Sequence, residues 1–380
     1  MSIVNKVKGY QRWANFEMCT KDFQPGNIEH LNSKYLYSYN VNTLGYKYIH
    51  DYMVYIILTK FLKFEYRYKP VEKVLYEIPF QYKEHFCMFT FEKSGFKFHI
   101  DTNKIDIIDQ IFKKIQSASK IAEQLLSPII DESINNGDVI IENKSSILRE
   151  RYVYFRNIIK SMYKNKNIDS TISLNILPDF STSRFDFKKD VFFNVQSMLE
   201  AYFSFQEHVL ILLLPFTNID FAEENISELI NSNWSKIFNT VLSPKDSPNL
   251  MKHYENLRNI KELRNQFTHG GFEKKKGSIL PYIEGVGTIP INLSSGNEYS
   301  IVHLHDYSYK EICDVIDEFE EYLMNSKWLL PIQIIQGGLD ISFSKEFMKE
   351  LHNAIESEES VDEFLKYIFS LQDRELNMDW

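Results

Sequence analysis

SPNLMKHYENLRNIKELRNQFTHGG, residues 247–271, is the stretch on which the reading of this chain turns. Leu250, Tyr254, Leu257, Ile260, Leu263 and Phe267 recur every three or four positions, the spacing of one buried face of an α-helix. Gly270–Gly271 supplies residues able to adopt positive φ, so the helix is expected to stop at about His269. Within it the dipeptide Arg–Asn appears twice, at Arg258–Asn259 and Arg264–Asn265, and a third copy stands at Arg156–Asn157. Five residues after the three arginines, in chain order, come Ser161, Leu263 and His269, so only Arg264 is followed by an imidazole.

Arg264 borders the apolar stripe, where a charge is costly unless paired. Asn265 and His269 are four apart and share a helix face. An imidazole in the last turn meets free carbonyls that favour its protonated form, and it titrates near neutral pH. A planar guanidinium is suited to a phosphate or a developing oxyanion. Arg264, Asn265 and His269 are therefore a compact set for phosphodiester cleavage. The same residues also have a purely structural reading, because cations at a helix C-terminus and a Gly–Gly stop follow from the macrodipole alone.

Working outward, the chain of 380 residues has length for two domains, and 44% hydrophobic with 25% charged residues marks it as globular. Only 13 Gly and 11 Pro argue against a loop-rich β fold. Residues 1–140 read as a mixed α+β region. There, 41–66 is expected as a buried helix, 86–101 as a hairpin turning at Ser94–Gly95, and 104–126 as a helix. The polar stretch 133–146 is the expected domain boundary. Helices are expected over 147–164, 190–214, 222–242, 247–269 and 308–330, a mainly α arrangement of up-and-down bundle type, followed by an acidic helical tail at 331–380.

Net charge is −9, yet residues 252–276 carry seven Lys/Arg against three Glu, and residues 340–380 carry eleven acids against four bases. A local basic patch binds phosphate whatever the global sign. Arg258, Lys261, Lys274, Lys275 and Lys276 are the candidate substrate-binding cations, and Glu200 or Glu207 the candidate carboxylate for Arg264, with Glu200 preferred as support. The acidic stretch 356–364 has two readings, an inhibitory segment over a cationic groove or ordinary surface helices packed through Phe347, Leu351, Ile355, Phe364, Leu365 and Ile368.

Three widely separated cysteines, Cys19, Cys87 and Cys313, build neither a disulfide framework nor a zinc ribbon and fit a reducing compartment. The start of the chain lacks a signal-peptide core, and the run 209–216 is too short for a bilayer, so a cytoplasmic protein with no membrane association is expected. His303 and His305, followed by Asp306, place two imidazoles on one face if their segment is a strand, which motivates a metal-assisted hydrolase as a further alternative. His208, beside an apolar run, reads as a core histidine.

With Arg264 and His269 separated by four residues, the first of them Asn265, at the end of a long helix, and with Gly270 next, the segment 147–330 resembles the HEPN superfamily. These are the helical-bundle domains of many bacterial ribonuclease toxins and phage-defence proteins. The resemblance implies a metal-independent RNA endonuclease acting as a homodimer without cofactors. In such a site the RNA 2′-hydroxyl attacks the adjacent phosphate, His269 acts as acid/base, Arg264 stabilises the charge on phosphorus and Asn265 positions groups. It also implies a toxin or defence effector with an antitoxin or regulatory partner. The alternative within that resemblance is a non-catalytic nucleotide- or protein-binding module. The long segment 271–306 after the motif departs from the pattern, and residues 1–140 resemble no family.

Overall fold

In the computed structural model, the described residues are 3–27, 36–47, 49–71, 73–171, 182–217, 219, 226–268, 278–279, 281–289, 291–293, 299–300 and 307–377. The protein is mainly helical with one substantial sheet, and it divides into two compact units. The first holds residues 1–134 and 366–380, the second 135–365, so the change of unit falls inside the polar stretch 133–146.

In the first unit, α1 (Ile3–Val7), α2 (Trp13–Thr20), β1 (Phe23–Pro25), β2 (Tyr37–Asn40) and α3 (Asp51–Tyr55) precede β3 (Arg67–Val71), β4 (Val74–Tyr82), β5 (His85–Glu92), β6 (Gly95–Ile100) and α4 (Ile105–Asn135). The sheet is antiparallel in the order β1-β4-β5-β6-β2, with β3 also on β4. Alternation along the strands sends Ile78, Phe80, Phe89, Phe98 and Ile100 into one buried face. Helix α4 covers that face with Ile111, Phe112 and Ile115, and Phe112 meets Phe98 edge-on at 5.1 Å. The hairpin at Ser94–Gly95 is present, with Glu92 opposite Gly95. The single long helix expected over 41–66 is not. Asn40 caps a short turn by accepting from Asn42 N–H, and Gly45 takes φ +74°, so helix begins only at Asp51. After Tyr55 it widens into π-type turns over Ile56–Phe61, with the Leu62 amide reaching back to the Ile57 carbonyl.

The second unit opens with β7 (Ile140–Ile141), α5 (Ser145–Lys166), α6 (Thr182–Leu213), α7 (Ile226–Ile230), α8 (Trp234–Leu242) and α9 (Pro248–Thr268). Short strands β8 (Ser278–Ile279), β9 (Tyr282–Ile283), β10 (Gly287–Thr288), β11 (Ile291–Leu293) and β12 (Tyr299–Ser300) come next. They are followed by α10 (Tyr309–Met324), α11 (Leu329–Gln336), β13 (Ile341–Ser342), α12 (Lys345–Ala354) and α13 (Glu358–Asn377), whose residues from Lys366 onward belong to the first unit. Four long helices run alternately. Tyr152 of α5 packs on Tyr202 of α6 while Tyr163 packs on Phe187, so these two are antiparallel. Lys261 and Arg264 of α9 meet Glu207 and Glu200 of α6 in reverse order. Tyr309 stacks on Tyr163 and Asp317 binds Arg156, so α10 descends against α5. His253 of α9 lies 5.1 Å from Tyr322 of α10, while Phe238 of α8 packs against Phe319. The C-terminal ends of α5 and α9 consequently lie at the same end of this unit.

Two helices expected as continuous are broken. The 222–242 segment divides because Asn233 turns extended and caps α8, accepting from Lys236 N–H at 2.9 Å. The 308–330 segment ends at Met324, where Asn325 leaves helical geometry, and α11 starts at Leu329. Residues 331–343 are not a tail. Ile334, Ile335, Ile341 and Phe343 are buried, β13 pairs with β7, and Asn143 donates to the Ile335 and Leu339 carbonyls.

The acidic helices α12 and α13 pack in the manner of ordinary surface helices, with Leu351, Ala354 and Val361 buried and Phe347 near Phe364 at 6.4 Å. Leu365 approaches Gly337 so closely that a Cβ there would lie 2.8 Å from its Cδ2. Val361→Asp is expected to destabilise the second unit by about 3 kcal/mol or more, because it buries an unpaired charge. Urea unfolding reads this, and an unchanged midpoint would show that α13 does not depend on that contact.

Candidate functional site

The expected apolar stripe of α9 is largely in place: Leu250, Leu257 and Ile260 are buried, Tyr254 and Leu263 partly so, and the Phe267 side chain lies outside the described residues. That burial fixes the helix rotation and turns Lys261 and Arg264 toward α6. Two charged rungs then join the helices. Arg264 donates from Nε to Glu200 Oε1 and from an Nη to Glu200 Oε2, both at 3.0 Å, a two-point pair that fixes the guanidinium plane. One turn earlier on α9, Lys261 Nζ donates to Glu207 Oε1 at 3.1 Å. Glu200 and Glu207 are seven apart, Lys261 and Arg264 three apart, so both rungs fall along one seam.

The lower rung rests on an aromatic floor. Lys261 Nζ lies 5.1 Å from the Trp234 ring centre and 5.9 Å from that of Phe203. Trp234 is fully buried, donates its indole N–H to Gln206 Oε1 at 2.6 Å, and stacks on Tyr254. Burial pulls the Lys261 pKa below the usual lysine range, and Glu207 opposes that shift. Lys261 is thus a half-buried cation whose ammonium is paired with Glu207 and lies over the indole. Arg258 is exposed, over the Tyr254 ring at 6.0 Å.

The other Arg–Asn copy is structural as well. Arg156 makes a two-point pair with Asp317 and donates to the Tyr152 hydroxyl, and the Asp317 partner raises its pKa. His208 accepts from the Lys144 amide at 2.9 Å and is half-buried rather than in the core, and that partial burial lowers its pKa. The Asn265 side chain, His269, Lys274, Lys275, Lys276, His303, His305 and Asp306 lie outside the described residues. Among the described residues no group of three His, Cys, Asp or Glu is arranged to hold a metal ion, and no helix is long and apolar enough to cross a membrane.

Sequence reasoning missed the roles of Trp234, Gln206 and Asp317. The seven-residue spacing of Glu200 and Glu207 against the three-residue spacing of Lys261 and Arg264 was the available signal for the paired rungs. No protein-family model, curated protein or solved structure matches the chain.

Proposed function

We propose that the protein is a metal-independent RNA endonuclease of HEPN type, with Arg264, Asn265 and His269 as its reacting set. The observation that carries the reading is the two-point Arg264–Glu200 pair on the last turns of α9, five residues before His269, within antiparallel long helices. A guanidinium so oriented is suited to charge developing on a phosphorane. His269 would transfer the 2′-hydroxyl proton or protonate the leaving 5′-oxygen. Pairing of two chains about a two-fold axis would double both groups in one cleft, and C2 is the commonest oligomer symmetry. The defence or toxin role, with a regulatory partner, belongs to the same proposal.

The second reading is a non-catalytic module that binds a nucleotide or protein. The carboxylate already on Arg264 favours it, since such a pair also serves structure alone.

The purified chain tests both with total RNA. Cleavage is expected to persist in EDTA, leave 2′,3′-cyclic phosphate ends, spare DNA, and disappear in His269→Ala. Cleavage lost on chelation and restored by zinc or manganese would move the chemistry to His303 and His305. No cleavage in any buffer would leave the binding module.

A further inference from the structure

Helix α5 is strongly basic although the protein as a whole is acidic. Its 22 residues hold Arg149, Arg151, Arg156, Lys160, Lys164 and Lys166 against the single acid Glu150. Arg149 and Arg156 are neutralised by Glu320 and Asp317 of α10. Among the described residues Arg151, Lys160, Lys164 and Lys166 have no carboxylate within 4.0 Å, and all four are exposed.

Two shallow grooves follow this outer face. One, of about 400 Å³, is lined by Tyr154, Asn157, Ile158, Ser161, Met162 and Asn165. The other, of about 280 Å³, runs past Lys160, Lys164, Asn167 and Ser170 over the buried Tyr163–Tyr309 stack. Tyr154 is 61% exposed. Asn157, Ser161 and Asn165 succeed each other at four-residue spacing, so their polar ends line one edge of the first groove. Lys160 and Lys164 stand between the grooves. The face therefore offers an exposed ring, a row of amide and hydroxyl groups, and unneutralised ammonium groups, at the end of the unit where α9 presents Arg264.

We propose that the outer face of α5 is a track for single-stranded RNA. Lys160 and Lys164 take successive phosphates, Tyr154 stacks on a base, and Asn157 and Asn165 meet base edges. Sequence-tolerant single-strand binding elsewhere rests on this combination of cations and exposed rings. Two α5 faces packed on each other about a two-fold axis would place their unpaired cations against their own kind. The inference rests on RNA being the ligand, as in the proposed function, but not on cleavage.

The test uses the full chain and a fluorescein-labelled single-stranded 2′-O-methyl oligonucleotide, which offers no attacking hydroxyl, with anisotropy followed across salt concentrations. Replacing both lysines, Lys160→Gln with Lys164→Gln, is expected to weaken binding about tenfold at about 0.1 M salt and lower the slope of log affinity against log salt by about 1.4, roughly 0.7 per lost contact. Lys160→Arg with Lys164→Arg keeps both. Tyr154→Ala weakens binding by about tenfold with the slope unchanged, the mark of lost stacking. Unchanged affinity and slope in the double glutamine variant, with an unaltered melting temperature, overturns the proposal. So does a Tyr154→Ala protein that loses a dimer in sedimentation while binding RNA as before. Binding that responds as expected in a chain that cuts nothing removes the endonuclease reading and leaves this one standing. Cleavage with binding indifferent to α5 does the reverse.

Discussion

Arg264→Ala is expected to lower RNA cleavage by about 10²- to 10³-fold, the loss typical of removing one preorganised donor from a developing oxyanion. The fold should survive, because the rung is a partly exposed pair: the Arg264 side chain is 20% and Glu200 29% exposed. The cost in stability should stay near about 1 kcal/mol. Arg264→Lys should recover little activity, since an ammonium cannot reproduce the two-point geometry that Nε and Nη make with Glu200. Glu200→Gln leaves the guanidinium charged but loosens its plane. It should reduce kcat by about tenfold with KM nearly constant, because positioning matters most at the transition state. Combining Arg264→Lys with Glu200→Gln should cost far less than the sum of the two changes, as residues acting as a unit do. An Arg264→Ala protein that cuts RNA at the original rate would remove this residue from the chemistry and with it the proposed mechanism.

The sequence carried the helical half more clearly than the sheet, for identifiable reasons. α5, α6, α9 and α10 have long apolar periodicity; α5 and α9 end within two residues of expectation, whereas α6 starts at Thr182 rather than 190 and α10 stops at Met324 rather than 330. The broken segments turned on single side chains: Asn233, whose amide oxygen captures the Lys236 N–H, and Asn325, at the end of α10. Strand β4 was hidden because Pro79 sits in its middle, and proline usually marks the end of pairing. Here Pro79 stands opposite Met88 of β5, while its carbonyl accepts from Gly26 N–H beside β1. That approach is so close that a Cβ on Gly26 would lie 2.6 Å from Phe80 N, a tertiary fact with no local signature. At the candidate site, the stripe of α9 told which way Arg264 points, and a short list of carboxylates included its partner. The packing of Lys261 was not legible, because lysine in a basic segment looks like a surface cation. Only the distant Trp234, brought in by α8, turns it into a packed one.

Lys261 also gives the largest expected effect on stability, reached through its floor. Trp234→Ala removes a fully buried indole, its bond to Gln206 and its stacking on Tyr254, and should cost about 3–5 kcal/mol. Trp234→Phe keeps most of the packing but orphans Gln206, and should cost about 1–2 kcal/mol. Glu207→Ala separates charge from packing: it leaves the indole in place and removes the group that holds the ammonium protonated. Because the Glu207 side chain is 38% exposed, the loss near neutral pH should be only about 1 kcal/mol. The pH dependence then identifies the cause. Burial lowers the folded pKa of Lys261 below its ordinary 10.5, so between that lowered value and 10.5 the unfolded chain binds more protons than the folded one. Stability contributed by this group therefore rises with pH across that alkaline window. Without Glu207 the folded pKa falls further, the window widens toward neutrality, and the rise grows steeper. Urea midpoints from about pH 7.5 to 10 should thus converge for wild type and Glu207→Ala as pH increases. Lys261→Met, which has no proton to lose, should erase the difference between the two backgrounds. Parallel curves for wild type and Glu207→Ala across that range would show that Lys261 keeps an ordinary pKa and that the lower rung is a surface pair with no grip on the seam beneath Arg264.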